Sequence, residues 1–168
     1  MTERLTFVLG GARSGKSRHA ETLVIAYPSP WTYIATAQAF DDEMRARIAR
    51  HRTSREEGWR TVEAPLDLAG ALGEAGNAPV LVDCLTLWLT NLMLGEHDLP
   101  AAIAAFESAV SARTAPTVVV SNEVGLGIVP DNALARAFRD QAGLLHQRIA
   151  ARADRVLFMA AGLPMVLK

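Results

Sequence analysis

A glycine-rich segment at residues 10–17, GGARSGKS, matches the phosphate-loop pattern G-x-x-x-x-G-K-[ST] at each of its four fixed positions. Gly10, Gly11 and Gly15 let the backbone turn tightly and direct its N–H groups toward phosphate oxygens. A five-residue apolar run precedes the segment and a helical pattern follows it, which is the setting that the motif needs. The segment therefore predicts a loop that binds the phosphates of a nucleotide.

Two side chains of this segment, and one carboxylate further along the chain, are suited to nucleotide chemistry. Lys16 is expected to reach the β- and γ-phosphates, and the Ser17 hydroxyl to ligate Mg²⁺. Asp83 ends the apolar run VLVD, where a carboxylate commonly helps to hold the same ion. The alternative for Asp83 is a cap of the helix predicted to begin at Leu85, and the sequence does not decide between the two.

Five arginines surround His51 within residues 45–55, RARIARHRTSR. One hypothesis is a solvated helix, because acidic residues at 41 and 43 have the spacing that pairs them with the first two arginines. The other hypothesis is an anion site, in which neighbouring guanidinium groups lower the pKa of His51 and keep its ring uncharged and nucleophilic. The same arginines can bind polyphosphate oxygens and stabilise a departing pyrophosphate. Spacing alone leaves both hypotheses open.

Short apolar runs typical of strands alternate with longer helical patterns. The predicted strands are residues 5–9, 31–35, 79–83, 117–121 and 155–160. The predicted helices are residues 16–26, 41–55, 66–75, 85–95, 99–113 and 131–153. Because several strands are apolar throughout, we expect an α/β fold with a mostly parallel sheet and helices on both faces. Residues 161–168 are expected to add an edge strand or hairpin, and residues 1–168 to form a single domain.

The bulk composition limits the class of protein. Half of the 168 residues are hydrophobic and 21% are charged, which is typical of a globular chain. The formal net charge of −1 gives no general attraction to nucleic acid or to an anionic membrane. The apolar segment at residues 85–94 is shorter than the roughly 20 residues that span a bilayer, and a single cysteine excludes an intrachain disulfide. We expect a cytoplasmic protein with no nucleic-acid partner and no membrane span.

Six blocks of the sequence occur together in one known family of enzymes. In chain order they are GGARSGKSRHAE, YIATAQAFDDEMRARIARHR, WRTVEAP, VLVDCLTLWLTNL, VVVSNEVGLGIVP and AGLPMVLK. With these blocks, which cover nearly the whole chain, the sequence resembles the bifunctional adenosylcobinamide kinase / adenosylcobinamide-phosphate guanylyltransferase family of cobalamin biosynthesis. The resemblance implies a RecA-like P-loop NTPase fold and assembly as a homotrimer.

The same resemblance implies two reactions on a corrinoid substrate. The γ-phosphate of ATP or GTP is transferred to a hydroxyl of adenosylcobinamide. GTP then guanylylates His51, and the substrate phosphate displaces the GMP from the histidine to give adenosylcobinamide-GDP. Some members of the family have two adjacent histidines here, whereas this chain has Arg50 before His51. The alternative is a monofunctional P-loop small-molecule kinase, in which His51 has no catalytic role.

Motif and resemblance together give a set of site residues. Lys16 and His51 are the expected catalytic residues, and Ser17 and Asp83 are the expected Mg²⁺ ligands. Glu63 is suited to accept hydrogen bonds from guanine N1–H and N2–H, and a plain surface-strand residue is an equally good interpretation. The residues expected to bind ATP or GTP are Gly10, Gly11, Ala12, Arg13, Ser14, Gly15, Lys16, Ser17, Ala35, Thr36, Ala37, Arg52, Thr53, Ser54, Arg55, Glu63 and Leu85.

Overall fold

The structure of the chain is a computed structural model that describes residues 3–38 and 57–168. The strands in these ranges are β1 (Leu5–Gly10), β2 (Trp31–Ala35), β3 (Trp59–Glu63), β4 (Val80–Asp83), β5 (Thr117–Asn122), β6 (Arg155–Ala160) and β7 (Leu163–Val166). They form one seven-stranded sheet in the spatial order β3-β2-β4-β5-β1-β6-β7. All neighbouring pairs are parallel except β6 and β7, which are antiparallel. The prediction of a mostly parallel sheet is confirmed.

The helices of the described ranges cross over between parallel strands, as such a sheet requires. They are α1 (Lys16–Ile25), α2 (Leu68–Glu74), α3 (Leu85–Leu94), α4 (Leu99–Ala112) and α5 (Ala133–Arg152). Side chains cap three of them, because Asp67, Asp98 and Asn132 each accept a hydrogen bond from a backbone N–H of the first turn. All five predicted helices of these ranges are confirmed to within two residues at each end. The helix predicted at 41–55 lies outside the described residues.

Apolar side chains pack on both faces of the sheet. Successive residues of a strand point to opposite faces, so Phe7 lies in one apolar layer and Val8 in the other. The layer that contains Phe7 includes residues of α2, α3, α4 and α5, among them Trp88 and Leu145. The layer that contains Val8 includes Val24 of α1. The expectation of helices on both faces is therefore confirmed, and within the described ranges no helix has the length and apolarity to cross a bilayer.

The predicted elements include the strand at one edge of the sheet but not the strand at the other edge. The predicted edge strand at the C-terminal side is confirmed as β7, whose four residues are all exposed. The strand β3 at the other edge is absent from the predicted strands. Its sequence, WRTVE, has three polar residues in five and no buried position, so it lacks the apolar run that marks the central strands.

The carboxyl ends of the central strands meet at one edge of the sheet. Gly10 ends β1, Asn122 ends β5 and Asp83 ends β4, and β5 lies between the other two strands. In open parallel sheets, ligands bind in the crevice outside these carboxyl ends. The topology therefore places the glycine-rich segment and Asp83 on the same ligand-binding edge.

Candidate functional site: a nucleotide site at the carboxyl edge of the sheet

The glycine-rich segment forms a loop between β1 and α1. Gly15 precedes the first helical residue and has a φ of 89°, in the left-handed region that favours glycine. The loop therefore leads into the N-terminus of α1, whose unpaired N–H groups favour bound anions. Lys16, the first residue of the helix, is buried, and its Nζ donates a hydrogen bond to the Gly11 carbonyl at 3.0 Å. This strand-loop-helix arrangement is the one that the motif predicts.

The turn between β6 and β7 supports this loop. The Gly162 N–H donates a hydrogen bond to the Ser14 carbonyl at 2.9 Å. Gly10 itself packs closely against Met159 of the strand β6. A Cβ added at Gly10 would lie 2.8 Å from the Met159 carbonyl and 2.5 Å from Ser14 Oγ. Ser14 is buried, and its hydroxyl has no hydrogen-bond partner among the described residues. Ala12 and Arg13, at the tip of the loop, are exposed.

Asp83 is held by a tyrosine of the neighbouring strand. The Tyr33 hydroxyl donates a hydrogen bond to Asp83 Oδ2 at 3.0 Å, and the Tyr33 ring packs edge-on against Trp59. Asp83 does not cap α3, because the N-cap position is Cys84 and no side chain makes a capping hydrogen bond there. This geometry removes the capping alternative for Asp83.

The donors of this edge suit a magnesium ion. Ser17 and Asp83 offer hydroxyl and carboxylate oxygens, which Mg²⁺ prefers, and both are only partly buried. No group of three or more His, Cys, Asp or Glu side chains that could hold a metal occurs in residues 3–38 and 57–168. Magnesium is commonly bound by one or two protein oxygens together with substrate phosphates, so these residues fit the ion without a further cluster.

The segment after β2 is fixed by a buried threonine. Thr36 Oγ1 donates to the Cys84 carbonyl at 2.7 Å and accepts from the Cys84 N–H at 2.8 Å. Asn91 Nδ2 donates to the Thr36 carbonyl at 2.8 Å. Since the Thr36 side chain is turned into the protein, it fixes the backbone of residues 35–37 beside the start of α3. Ala35 and Ala37 on either side of it are partly buried.

The structure also places Glu63 and Leu85. Glu63 is the last residue of β3, is exposed, and pairs in register with Ala35. Leu85 is fully buried in the core at the start of α3, so its backbone is the part that can contact a ligand. Residues 10–17, 35–37, 63, 83 and 85 therefore all follow or flank the carboxyl ends of strands on one edge. His51 and its neighbours Arg52, Thr53, Ser54 and Arg55 lie outside the described residues.

A polar cluster at the end of β5 was not predicted from the sequence. Ser121 Oγ lies 2.8 Å from His146 Nε2 and 3.1 Å from Thr86 Oγ1, and all three residues are buried. Glu123 Oε2 lies 3.8 Å from His146 Nδ1. Burial lowers the pKa of His146, and the nearby Glu123 opposes this effect only in part. The sequence SNE, which begins with the last two residues of the apolar strand β5, is the one signal of this cluster.

Cys84 lies next to Asp83 but is not a nucleophile. Burial, together with the charge of Asp83, raises the pKa of the Cys84 thiol to about 11. The thiolate is the reactive form of cysteine, so the side chain is inert at neutral pH.

The topology of the sheet and the phosphate loop together define the class of the protein, which has the fold of a P-loop NTPase. Its fold is similar, with a TM-score of 0.53 and 10% identity, to an ATPase of the type III secretion system of pathogenic bacteria, over 97% of this chain and 56% of that chain. A Pyrococcus horikoshii OT3 protein, PH0250, gives a TM-score of 0.53 at 8% identity, over 99% of this chain and 86% of that chain. At these identities the similarity concerns the fold alone.

Sequence similarity narrows this class to one family. The family described as cobinamide kinase / cobinamide phosphate guanyltransferase matches residues 6–167. The chain is 52% identical to the bifunctional adenosylcobalamin biosynthesis protein CobP of Pseudomonas aeruginosa, over 96% of this chain and 95% of that protein. It is 43% identical to the corresponding protein CobU of Salmonella typhimurium, over 98% of this chain and 99% of that protein. The chain belongs to the cobinamide kinase / cobinamide phosphate guanyltransferase family, which confirms the resemblance of the six sequence blocks.

Proposed function

We propose that the chain phosphorylates a hydroxyl of adenosylcobinamide with ATP or GTP and then transfers GMP from GTP to that phosphate through His51. The two activities follow from membership of the family, which is named for both. The observation that supports a nucleotide-dependent reaction at this site is the complete phosphate loop between β1 and α1, on the same edge as Asp83. The nucleotides, the covalent intermediate and the residue roles are the parts proposed for this chain.

The phosphate loop is proposed to bind the triphosphate in both reactions. Its backbone N–H groups and the N-terminus of α1 provide hydrogen-bond donors, and Lys16 provides a positive charge for the β- and γ-phosphates. The fixed backbone of residues 35–37 and the backbone of Leu85 are proposed to line the nucleotide, with Glu63 accepting from the guanine base. The proposed nucleotide-binding residues are Gly10, Gly11, Ala12, Arg13, Ser14, Gly15, Lys16, Ser17, Ala35, Thr36, Ala37, Arg52, Thr53, Ser54, Arg55, Glu63 and Leu85.

Ser17 and Asp83 are proposed to hold Mg²⁺. When bound, the ion neutralises charge on the phosphate oxygens of the nucleotide. The Tyr33 hydroxyl, bonded to Asp83 Oδ2, orients the carboxylate so that its other oxygen is available at the carboxyl edge.

His51 is proposed to form the covalent intermediate of guanylyl transfer. A neutral imidazole nitrogen attacks the α-phosphorus of GTP, a P–N bond forms, and the bond to the leaving pyrophosphate breaks. An oxygen of adenosylcobinamide phosphate then attacks the same phosphorus, and the P–N bond breaks to release the histidine. Arg52 and Arg55 are proposed to bind the polyphosphate and to stabilise the negative charge of the pyrophosphate as it leaves.

A homotrimer is proposed for the assembly, on the resemblance to the family. Exposed apolar side chains on the edge strand β7, including Leu163, Met165 and Val166, are compatible with an interface between chains. Light scattering coupled to size-exclusion chromatography tests this proposal, with a mass of three chains as the expected result.

An anaerobic assay with adenosylcobinamide, ATP, GTP and Mg²⁺, resolved by product mass, tests the proposed function. Wild-type protein is expected to form adenosylcobinamide phosphate and then adenosylcobinamide-GDP. Lys16→Ala is expected to lose the first product, because the positive charge at the transferred phosphate is removed. His51→Ala is expected to accumulate the phosphate and form no GDP ester.

The same assay tests the monofunctional alternative. If wild-type protein stops at adenosylcobinamide phosphate with GTP present, the transferase half of the proposal is wrong and the chain is a plain kinase. If Lys16→Ala forms the phosphate at the wild-type rate, the phosphate loop is not the donor site.

A further inference from the structure

Glu123 lies directly beside the phosphate loop. It is the first residue after β5, and β5 is the strand between β1 and β4. Its backbone N–H donates a hydrogen bond to the carbonyl of Gly10, the first residue of the loop, at 3.0 Å. The position of Glu123 relative to the loop is therefore fixed by a main-chain bond as well as by the sheet.

Three strands of the described chain lead into carboxylates at the carboxyl edge. Glu63 ends β3, Asp83 ends β4, and Glu123 follows β5. In the strand order, β5 is next to β1, β4 is two strands away and β3 is four strands away. Among the described residues, Glu123 is thus the strand-end carboxylate on the strand next to the loop that binds the transferred phosphate.

The contacts of Glu123 leave its carboxylate able to accept a proton. Oε1 accepts a hydrogen bond from the Gly125 N–H, while Oε2 lies 3.8 Å from His146 Nδ1, too far for a hydrogen bond. The side chain is 22% exposed. A carboxylate offers about four lone-pair positions, so the Gly125 bond leaves others for a substrate hydroxyl.

No described cation neutralises this carboxylate. Arg139, which lies nearby, donates to the Gly125 carbonyl at 2.6 Å, and no Arg or Lys of residues 3–38 and 57–168 forms an ion pair with Glu123. His146 is buried, which lowers its pKa and keeps its ring uncharged near neutral pH. Glu123 therefore has no positively charged side chain as an ion-pair partner among these residues.

We propose that Glu123 is the catalytic base of the phosphoryl transfer, which accepts the proton of the acceptor hydroxyl. As the hydroxyl oxygen bonds to the γ-phosphorus, the O–H bond breaks and its proton moves to a Glu123 oxygen. The bond between the γ-phosphorus and the bridging oxygen breaks, and the nucleoside diphosphate leaves. The carboxylic acid then releases its proton to solvent through the exposed part of the side chain. This assignment rests on the proposed kinase activity.

The two reactions of the protein differ in their need for such a base. The first acceptor is an alcohol, which holds its proton at neutral pH and becomes a good nucleophile only as that proton is removed. The second acceptor is a phosphate monoester, whose second pKa is about 6 and which is already ionised. Loss of Glu123 is therefore expected to slow phosphorylation and to leave guanylyl transfer intact.

Glu123→Gln tests the assignment, because the amide preserves shape but is not basic. Three quantities are measured in each variant: the rate of adenosylcobinamide phosphorylation, the conversion of supplied adenosylcobinamide phosphate to the GDP ester, and the Kd for a non-hydrolysable ATP analogue. Phosphorylation is expected to fall about 100-fold or more, within the usual range for removal of a general base. The other two quantities are expected to stay within about threefold of wild type.

Asp131→Asn is the matched control, because it removes an exposed carboxylate of the following loop. It is expected to leave all three quantities unchanged.

Several outcomes overturn the assignment. Phosphorylation at the wild-type rate in Glu123→Gln shows that another group accepts the proton. If Glu123→Gln loses both activities equally, or loses binding of the ATP analogue, Glu123 maintains the structure of the loop instead. In that case Glu123→Asp, which keeps a carboxylate on a shorter side chain, is also equally impaired in both reactions. Under the proposal Glu123→Asp is impaired in phosphorylation alone. Absence of phosphorylation in wild type is a different result, because it refutes the proposed kinase function itself.

Discussion

The Tyr33 hydroxyl donates a hydrogen bond to Asp83 Oδ2 at 3.0 Å and so joins the strands β2 and β4 at the carboxyl edge of the sheet. Its ring packs against Trp59 of β3, which fixes the direction of the hydroxyl. The pair therefore sets the orientation of the carboxylate that is proposed to hold Mg²⁺. It is a contact between residues 50 positions apart, which no local pattern in the sequence indicates.

Removal of this hydroxyl is expected to weaken Mg²⁺ binding. Tyr33→Phe keeps the ring but loses a hydrogen bond whose net contribution is about 1 kcal/mol, so the Mg²⁺ affinity is expected to fall about three- to tenfold. Calorimetric titration with Mg²⁺ in the presence of a non-hydrolysable GTP analogue measures this change. Tyr27→Phe is the control, since the Trp31 indole bonds to the Tyr27 main-chain carbonyl, which this substitution retains. An unchanged Mg²⁺ affinity in Tyr33→Phe contradicts the orienting role.

Two neighbouring glycines are expected to differ in their tolerance of alanine. A Cβ at Gly10 would approach the Met159 carbonyl to 2.8 Å, whereas a Cβ at Gly11 meets nothing within 4 Å. Gly10→Ala is therefore expected to lower the free energy of unfolding by about 1–3 kcal/mol, and Gly11→Ala by no more than about 0.5 kcal/mol. Urea denaturation without nucleotide checks both. Equal stability of the two variants contradicts a close contact between Gly10 and Met159 of β6.

His146 is expected to make the stability of the protein depend on pH. Burial lowers its pKa in the folded state, so the unfolded chain binds the proton more readily as the pH falls below the ordinary value of about 6.5. The contribution of His146 to the free energy of unfolding is therefore fully present above about pH 6.5. It is lost progressively as the pH falls from there to the lower pKa of the folded state. His146→Gln, which retains a polar group for Ser121, is expected to lose less stability than wild type between pH 7.5 and 5.5 in urea denaturation. Parallel losses in both proteins contradict this account.

Much of the fold is predictable from the sequence because central parallel strands are buried on both faces. The runs LTFVL and TVVVS have few polar residues, and their strands are found within one residue of the prediction. The phosphate loop is predictable for a different reason: the backbone geometry that binds phosphate requires glycine at fixed positions. The edge strand β3 is not among the predicted strands, and a surface strand was only one of two interpretations of Glu63, because a strand with no buried position has no apolar signature.

The rest of the site depends on tertiary contacts that sequence spacing does not contain. His146 lies on the apolar side of a helix and its partner Ser121 is 25 residues away, so only the packing of α5 on β5 reveals the bond. The proximity of Glu123 to Gly10 depends on the strand order, in which β5 lies between β4 and β1. For Asp83 the sequence left two interpretations, and the geometry removed the capping one.

The proposed covalent role of His51 is tested most directly by labelling. Wild-type protein incubated with Mg²⁺ and GTP labelled in the α-phosphate, without a corrinoid, is expected to take up the label in a bond that is acid-labile and alkali-stable, as a phosphoramidate is. His51→Ala is expected to abolish the label, and His97→Ala, which changes a histidine in the exposed segment after α3, is expected to retain it. Label retained by His51→Ala, or no label on wild-type protein, contradicts a transfer through His51.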